Sequence, residues 1–341
     1  MNHGALLRAG WPLLLLHVFA FGAGFLAPYS ATEYDRSLPF APPTRVHFNS
    51  ERDGFQWRPF VYAMRESADR FGEYAEDRTR RYPIRLFVRG EPHGPGGFES
   101  RFHLFRVDAP ARIFLLGSDG VGRDQLSRLL HGTRTSLFAG WLAAGLSLGL
   151  GLALGTIAGF YGAWIDTFVM RLAELFLATP WLYLLLAVRA FLPLELDPGQ
   201  ALLILVLVIG LVDWARPARL VRGVTLSARE RDYVWAARGL GASDAYLLVR
   251  HVVPQSAGVL LTQAALVIPQ YVLAEVTLSF LGLGIGEGVA SLGSLLGELQ
   301  RFDVMTTYWW MWFPAFALVF VFFAYYRLAD ALRMRWRQPA S

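Results

Sequence analysis

The sequence predicts an all-α polytopic membrane protein of six transmembrane helices that carries a small β-rich or mixed extracytoplasmic insertion, on three observations. Of its 341 residues 54% are hydrophobic, and the mean hydropathy of +0.36 is far above that of an average soluble domain. Six segments are long and sparsely charged enough to span a bilayer. Between the first and second of them lies a stretch of different texture, with short aromatic and β-branched runs punctuated by turn residues.

The spans are residues 11–29, 136–160, 172–192, 201–215, 258–283 and 308–326. The fourth is the shortest. Pro12 and Pro28 bracket the first, although Arg8, its apolar core and the small residues near Ser30 and Ala31 also fit a cleaved signal peptide that would leave the later topology unchanged. Arg216, Arg219, Arg222, Arg229, Arg231, Arg238 and Arg250 crowd the connection between the fourth and fifth spans, and Arg327, Arg333, Arg335 and Arg337 follow the sixth. Residues 193–200 opposite carry only Glu195 and Asp197 as charges. The excess of arginine on one side predicts that this side, with both termini, is cytoplasmic. The same bias accounts for the net charge of +5 without a nucleic-acid partner.

Three domains are expected: residues 1–30 with the first span, an insertion at 31–115, and a transmembrane domain at 116–341 with a cytoplasmic loop at 216–256. In the insertion, runs at 44–48, 55–63, 84–88, 102–107 and 112–116 alternate with turns at Pro42, Pro43, Gly54, Pro83 and residues 94–97. With no cysteine in the chain, no disulfide can staple it. A docking or gate-covering platform and a plain structural insertion both fit.

The cytoplasmic loop holds the most informative stretch, residues 226–254. Ser227 with Glu230 reads as a capping box that starts a helix through Arg238, and that helix includes Asp232 and Tyr233. Gly241 ends that helix. Ser243 caps a second, with Asp244 at its positive end and Arg250 and His251 at its negative end, until Pro254 stops it. Ala236, Ala237 and Gly241 leave a smooth surface for another protein. An amphipathic surface helix or a DNA-reading helix-turn-helix would share the pattern, but neither explains a position between spans.

This stretch resembles the coupling loop of ATP-binding-cassette importer permeases, a pattern of E-A-A, three residues, G, and an apolar run ending in proline. Trp235 stands where the family has the glutamate. Residues 116–136 resemble the signature of dipeptide, oligopeptide and nickel permeases through Gly117, Asp119, Gly122, Arg123, Asp124, Arg128, Gly132, Arg134 and Ser136, with Ser118 replacing a threonine. Asp119 and Gly120 suit a turn, Asp124 suits the first turn of the next helix, and the three arginines would face headgroups or acidic partners. The glycines here fit no nucleotide fingerprint. Tyr161, Gly162, Asp166 and Arg171, the run 278–284 with Ser279, Gly282 and Gly284, and Asp330 to Arg333 extend the resemblance. After Gly284 the chain departs from the family's proline-bearing stretch.

Within the spans, Gly145, Gly149, Gly151, Gly155 and Gly159 allow close helix approach in the second, by packing inside the subunit or along a pore wall. In the fifth, Pro269 interrupts the helix, and Gln263, Gln270 and Glu275 bring polar groups to depth. Glu275 is a candidate for the translocation pathway, for contact with a second permease, or for a structural hydrogen bond. His17 reads as a packed residue, and Arg171 with Glu174 as a helix-end pair.

The chain contains no lysine and no P-loop sequence, and no His and Cys cluster has metal-ligand spacing. The resemblance therefore implies a permease of the type I importer fold in the bacterial inner membrane that binds no cofactor and is not itself an enzyme. ATP and Mg would be bound by two partner ATPase subunits. A second, distinct permease and an extracytoplasmic solute-binding protein would complete the assembly. A self-powered secondary transporter and a membrane scaffold are the other classes the sequence allows.

Overall fold

The structure is a computed structural model that describes residues 3–50, 54–67, 72–93, 100–191, 193, 197–281, 284 and 288–337. The chain divides into two compact units, one of Met1–Leu13, Leu137–Leu278 and Val321–Ser341, the other of Leu14–Ser136 and Ser279–Phe320. Helix α1 (His3–Phe21) holds Pro12 inside it, so that proline does not delimit the first apolar segment. A turn at Gly22 separates it from α2 (Ala23–Leu26). The apolar part, Arg8–Phe21, falls short of the ~20 residues that cross a bilayer unaided.

Among the described residues five strands follow: β1 (His47–Ser50), β2 (Gly54–Glu66), β3 (Tyr74–Pro83), β4 (Arg85–His93) and β5 (Ser100–Arg106). They form an antiparallel sheet in the order β1-β2-β3 and a separate β4-β5 hairpin. β3 is a strand the sequence reading missed, because its central residues are charged and its apolar anchor, Tyr82, lies near its end. Residues 112–116 are not a strand. Their hydrogen bonds go to the loop at Thr44, whose N–H donates to Phe114 O at 2.8 Å and whose Oγ1 accepts from Phe114 N at 2.9 Å. Tyr29, Val61, Tyr82, Val107, Ala111 and Ile113 form the core of this part without a disulfide.

Helix α3 (Gln125–Tyr161) starts eleven residues before the predicted span, and α4 (Ala163–Ala178) and α5 (Trp181–Ala190) replace a single third span. Pro180 lies in the break. A residue before proline is pushed out of the helical region, and Thr179 accordingly sits at φ −83°, ψ 122°. Helix α6 (Pro198–Val212) bends by 41° into α7 (Ala215–Arg229). Then come α8 (Asp232–Gly239), α9 (Asp244–Leu247) and α10 (Ala257–Phe280), followed by α11 (Leu292–Gly297), α12 (Phe302–Thr307) and α13 (Phe313–Arg337). Among the described residues, three helical runs are long and apolar enough to cross a membrane: Gln125–Tyr161, Asp244–Phe280 and Trp309–Met334. The bent α6–α7 pair makes a fourth if it is one broken span.

In the unit holding α7 and α10, the glycines of α3 divide by face. A methyl group on Gly151 would come within 2.5 Å of Pro217, and one on Gly155 within 2.4 Å of the Ala218 carbonyl, so α3 and α7 touch backbone to backbone. Gly159 faces Arg222 and Thr225 in the same seam, whereas Gly145 and Gly149 have nothing within 4 Å. Trp141 Nε1 donates to the Tyr325 hydroxyl at 2.6 Å, tying α3 to α13.

Candidate functional site

The segment between α7 and α10 is built differently from the expected capped helix pair. Ser227 is exposed in the last turn of α7, Glu230 is the C-cap of α7, and Arg231 precedes α8 with no side-chain cap, so the Ser227–Glu230 box does not form. The physical reason is tertiary: Val221, Thr225 and Ala228 bury one stripe of α7, which keeps the helix going to Arg229. Asp232 opens α8. At its end Gly241 takes φ +87°, with its N–H to Arg238 O at 3.0 Å and Ala242 N–H to Ala237 O at 3.1 Å, the two bonds of a Schellman stop. Ser243 caps α9 through Tyr246 N–H at 3.4 Å. Pro254 does not stop the chain: a π turn (Leu248–Val252) and a 3-10 turn (Val253–Ser256) lead straight into α10, and these altered registers leave room for the missing N–H.

The result is a short helix pair seated from beneath. Val234, Leu247 and Val252 pack with Ala228 and Phe160, the last at the end of α3, and Ala237 joins them half-buried. Arg229 Nη1 donates to the carbonyls of Gly159 at 2.9 Å and Phe160 at 3.3 Å, satisfying the open end of α3 where a cation is favoured. Asp166 takes two of the three guanidinium nitrogens of Arg222 in a bidentate ion pair. Neither role of these arginines was legible from their use as topology markers. Outward, Tyr233, Trp235, Ala236, Leu240, Tyr246 and Arg250 are exposed, and His251 sits with its ring 5.7 Å from Tyr233 and 5.6 Å from Tyr246.

Residues 117–136 fold into a buried ionic lock. Asp119 Oδ1 accepts from the N–H of Val121 and Arg123, both at 2.9 Å, and Oδ2 accepts from Arg123 Nε at 2.6 Å and from Arg128 Nη1. Arg128 is buried and also binds Glu298, and Arg123 lies 3.5 Å from the same carboxylate. Both arginines thus pair inside the chain instead of facing headgroups; Arg134 is half-buried. Burial pushes the Glu298 carboxyl up against the pull of Arg128. Asp124 is the residue before α3, not within its first turn, and its Oδ2 accepts from Ser127 N at 2.7 Å and Ser127 Oγ at 2.6 Å. Its Oδ1 is buried without a hydrogen-bond partner, and desolvation raises the carboxyl to about 7.

The glycines of this stretch permit close approach. Gly122 has φ +82° and a Cβ there would fall 1.9 Å from Asp35 O, Gly117 abuts the Trp310 ring, and Gly132 abuts Ser291. Ser136 Oγ accepts from Leu292 N–H at 3.0 Å. Ser118, the departure from threonine, donates to Leu38 O at 2.6 Å and accepts from Ala41 N–H at 2.7 Å.

A third cluster lies where α6 bends. Tyr271 of α10 has its hydroxyl 2.8 Å from Asp213 Oδ2 and 2.9 Å from Ser147 Oγ of α3, and Ser147 Oγ donates to Asp213 O at 3.0 Å. Beside it is a cavity of about 180 Å³ lined by Trp181, Leu185, Asp213, Arg216, Gln270 and Tyr271 among others. Of the pathway candidates Gln270 lines this cavity, Glu275 is fully buried in α10, and Ser279 packs against Gly284; Gly282 lies outside the described residues. Asp213 and Tyr271 were missed by the sequence reading. The available signal was a carboxylate at the end of an apolar run, inside the fourth span. Among the described residues no three His, Cys, Asp or Glu side chains are grouped to hold a metal.

Comparison with known proteins bears on the same residues. Residues 151–338 match the family described as "Binding-protein-dependent transport system inner membrane component". The chain is 37% identical over 217 residues to the oligopeptide transport system permease protein OppC of Escherichia coli (strain K12), covering 64% of this chain and 70% of that one. It is 36% identical over 258 residues to OppC of Salmonella typhimurium, covering 73% and 82%. A solved structure of the MetNI methionine ABC transporter in inward-facing conformations is similar at a TM-score of 0.45 and 18% identity, over 60% of this chain and 95% of that one. With more than half of its length matched by the family and its relatives covered over more than two thirds, the chain belongs to the binding-protein-dependent transport system inner membrane components.

Proposed function

We propose that this chain is the membrane-spanning permease subunit of an ATP-binding-cassette importer for peptides, one half of a pore shared with a second permease and driven by two partner ATPase subunits that bind ATP and Mg. An extracytoplasmic solute-binding protein would deliver the cargo. The family and the oligopeptide permease relatives support the transport reading. The observation that carries the coupling role is the seating of α8 and α9: an exposed aromatic and small-residue face on a base formed by the ends of α3 and α7 and continuous with α10.

On this reading an ATPase grips Tyr233, Trp235, Ala236 and Ala237, and its closure pushes on the ends of α3, α7 and α10 together. The Schellman stop at Gly241 and the Arg229 contact to α3 keep the pair from bending under that push. Six spans with both termini in the cytoplasm are part of the proposal, with α4 and α5 sharing the third crossing, as are the insertion at 31–115 and the transmembrane domain at 116–341. The arginines of 216–250 and of the C-terminus support this orientation.

Because the chain has no cysteine, Ala236→Cys creates its sole thiol. In the complete importer that thiol should crosslink to an ATPase subunit, and in whole cells it should resist a membrane-impermeant maleimide. Labelling from outside would sink the orientation, and purification free of any ATPase would sink the assignment. Gly241→Pro should leave ATP hydrolysis running while uptake falls, with insertion intact.

A further inference from the structure

The Asp213 cluster sits at depth. Ser147 lies near the middle of the apolar stretch 136–160 and Tyr271 near the middle of 258–283, and both are within hydrogen-bond distance of one another beside Asp213. An ionisable side chain at such depth is costly and is found facing protein or a water-filled cavity. The backbone breaks at the same point, by 41° between Val212 and Ala215, and irregular backbone at membrane depth is tolerated where it lines a cavity. In secondary transporters, discontinuous helices beside a cavity near mid-membrane are where substrate binds.

The chemistry of the lining narrows the ligand. A carboxylate offers about four lone-pair positions. Among the described residues Tyr271 is the only hydrogen-bond donor to the Asp213 carboxylate, and its single proton is shared with Ser147, whose own hydroxyl donates to the Asp213 backbone carbonyl. Acceptor capacity on Asp213 is therefore left for a donor of positive charge. Gln270 and Arg216 line the same cavity with N–H groups, and Trp181, Leu185 and Ile209 supply an apolar wall. A bare divalent cation would need several more oxygen ligands than this lining holds. At about 180 Å³ the cavity is below the ~300–1,000 Å³ of pockets that enclose a drug-sized ligand, so it fits one end of a longer molecule.

We propose that this cavity is a transit subsite for the free amino terminus of a peptide, with the Asp213 carboxylate taking the ammonium group, Gln270 and Arg216 donating to the first peptide carbonyl, and the apolar wall receiving the first side chain. The proposal rests on the peptide-permease reading above and adds a contact made by the pore itself, separate from any selection by a solute-binding protein. Ammonium binding to a part-buried carboxylate gives a preference for free over blocked amines, because acetylation removes the charge and two of the three N–H donors.

The test uses the chain assembled with its partner permease and ATPases in nanodiscs, without the solute-binding protein, and titrates trialanine against N-acetyltrialanine. Wild type should bind the free peptide ~10-fold or more tightly than the acetylated one, in line with a charge-assisted hydrogen bond. Asp213→Asn, which keeps the side-chain shape, should bring that ratio close to one. Equal affinity of wild type for both peptides, or no saturable binding of trialanine, overturns the subsite; the wild-type arm does not depend on any variant folding. Uptake of tripeptide by whole cells with and without the chain is the separate reading: if uptake is unaffected by removing the chain, the peptide-permease function fails, whereas chain-dependent uptake with equal binding of the two peptides removes the subsite alone.

Discussion

Asp119 is a buried carboxylate and Asp213 a half-buried one, and the chain treats them in opposite ways. Asp119 receives two backbone N–H groups and two guanidiniums, with Glu298 completing the balance around Arg128. Asp213 receives one phenol. A buried charge whose acceptors are filled from within the chain is a fastener, costly to break and with little left to offer a ligand. One left with open acceptor positions beside a cavity is poised for a visitor. The same residue type thus separates a scaffold from a path, and the separation can be measured.

The largest effect is expected at the fastener. Arg128→Ala removes the buried cation from between Asp119 and Glu298 and leaves them only the more exposed Arg123, and should cost ~3–5 kcal/mol of stability, read as a lowered thermal midpoint in detergent. A loss below about 1 kcal/mol would mean that the lock is no stronger than a surface pair and would end the contrast with Asp213.

Asp124, at the head of α3, sharpens the contrast through pH. Its carboxyl is raised by desolvation from 3.8 to about 7, so the folded state binds a proton that the unfolded state has released. Stability from this group is full below about pH 4, falls as pH rises towards about 7, and is level above that. A shift of this size corresponds to a change of the order of 4 kcal/mol at most. Unfolding at pH 5 and pH 8 measures it. Asp124→Asn should flatten the dependence, and a wild-type protein more stable at pH 8 would contradict the burial argument.

The helix that bears Arg216 and follows Asp213 is held by its seam with α3. Gly155→Val forces a side chain into the Ala218 carbonyl and should cost ~1–3 kcal/mol, while moving α7 and disturbing the cavity. Gly149→Val meets open space and should do far less. Equal losses at the two positions would mean that the cost comes from helix propensity and not from contact.

What was readable in the chain follows from locality. Gly241 and Ser243 were legible because a positive φ and an N-cap are demands of the backbone within a few residues. The Ser227–Glu230 box had the right spacing but lost to packing: α7 continues because its buried stripe lies under α3, a contact some 70 residues distant. Hydropathy ended the fourth span where arginines begin, yet Arg216 and Arg219 are exposed and helix continues through them in α7. That boundary made Asp213 look like an ordinary flank. Its meaning depends on Ser147 and Tyr271, which only the fold brings together. β3 was hidden for a similar reason, since a strand whose charged residues pair outward, as Asp77 does with Arg65, carries little apolar alternation.

The smallest expected effect tests the path side of the comparison. Tyr271→Phe removes the one hydroxyl that donates to the Asp213 carboxylate while keeping the ring packed in α10, so its cost is that of a single hydrogen bond to a charged group, ~1.5–3 kcal/mol at the upper end and less if water enters the cavity. Water has room there, which places the expected loss near ~1 kcal/mol in the thermal midpoint. The informative readout is peptide binding, because Asp213 then has a further acceptor position free for an ammonium group. Trialanine affinity in the assembled complex should hold or rise while stability falls slightly. A parallel fall in both would mean that Tyr271 and Asp213 form a closed structural pair, and the cavity beside them would lose its distinction from the lock at Asp119.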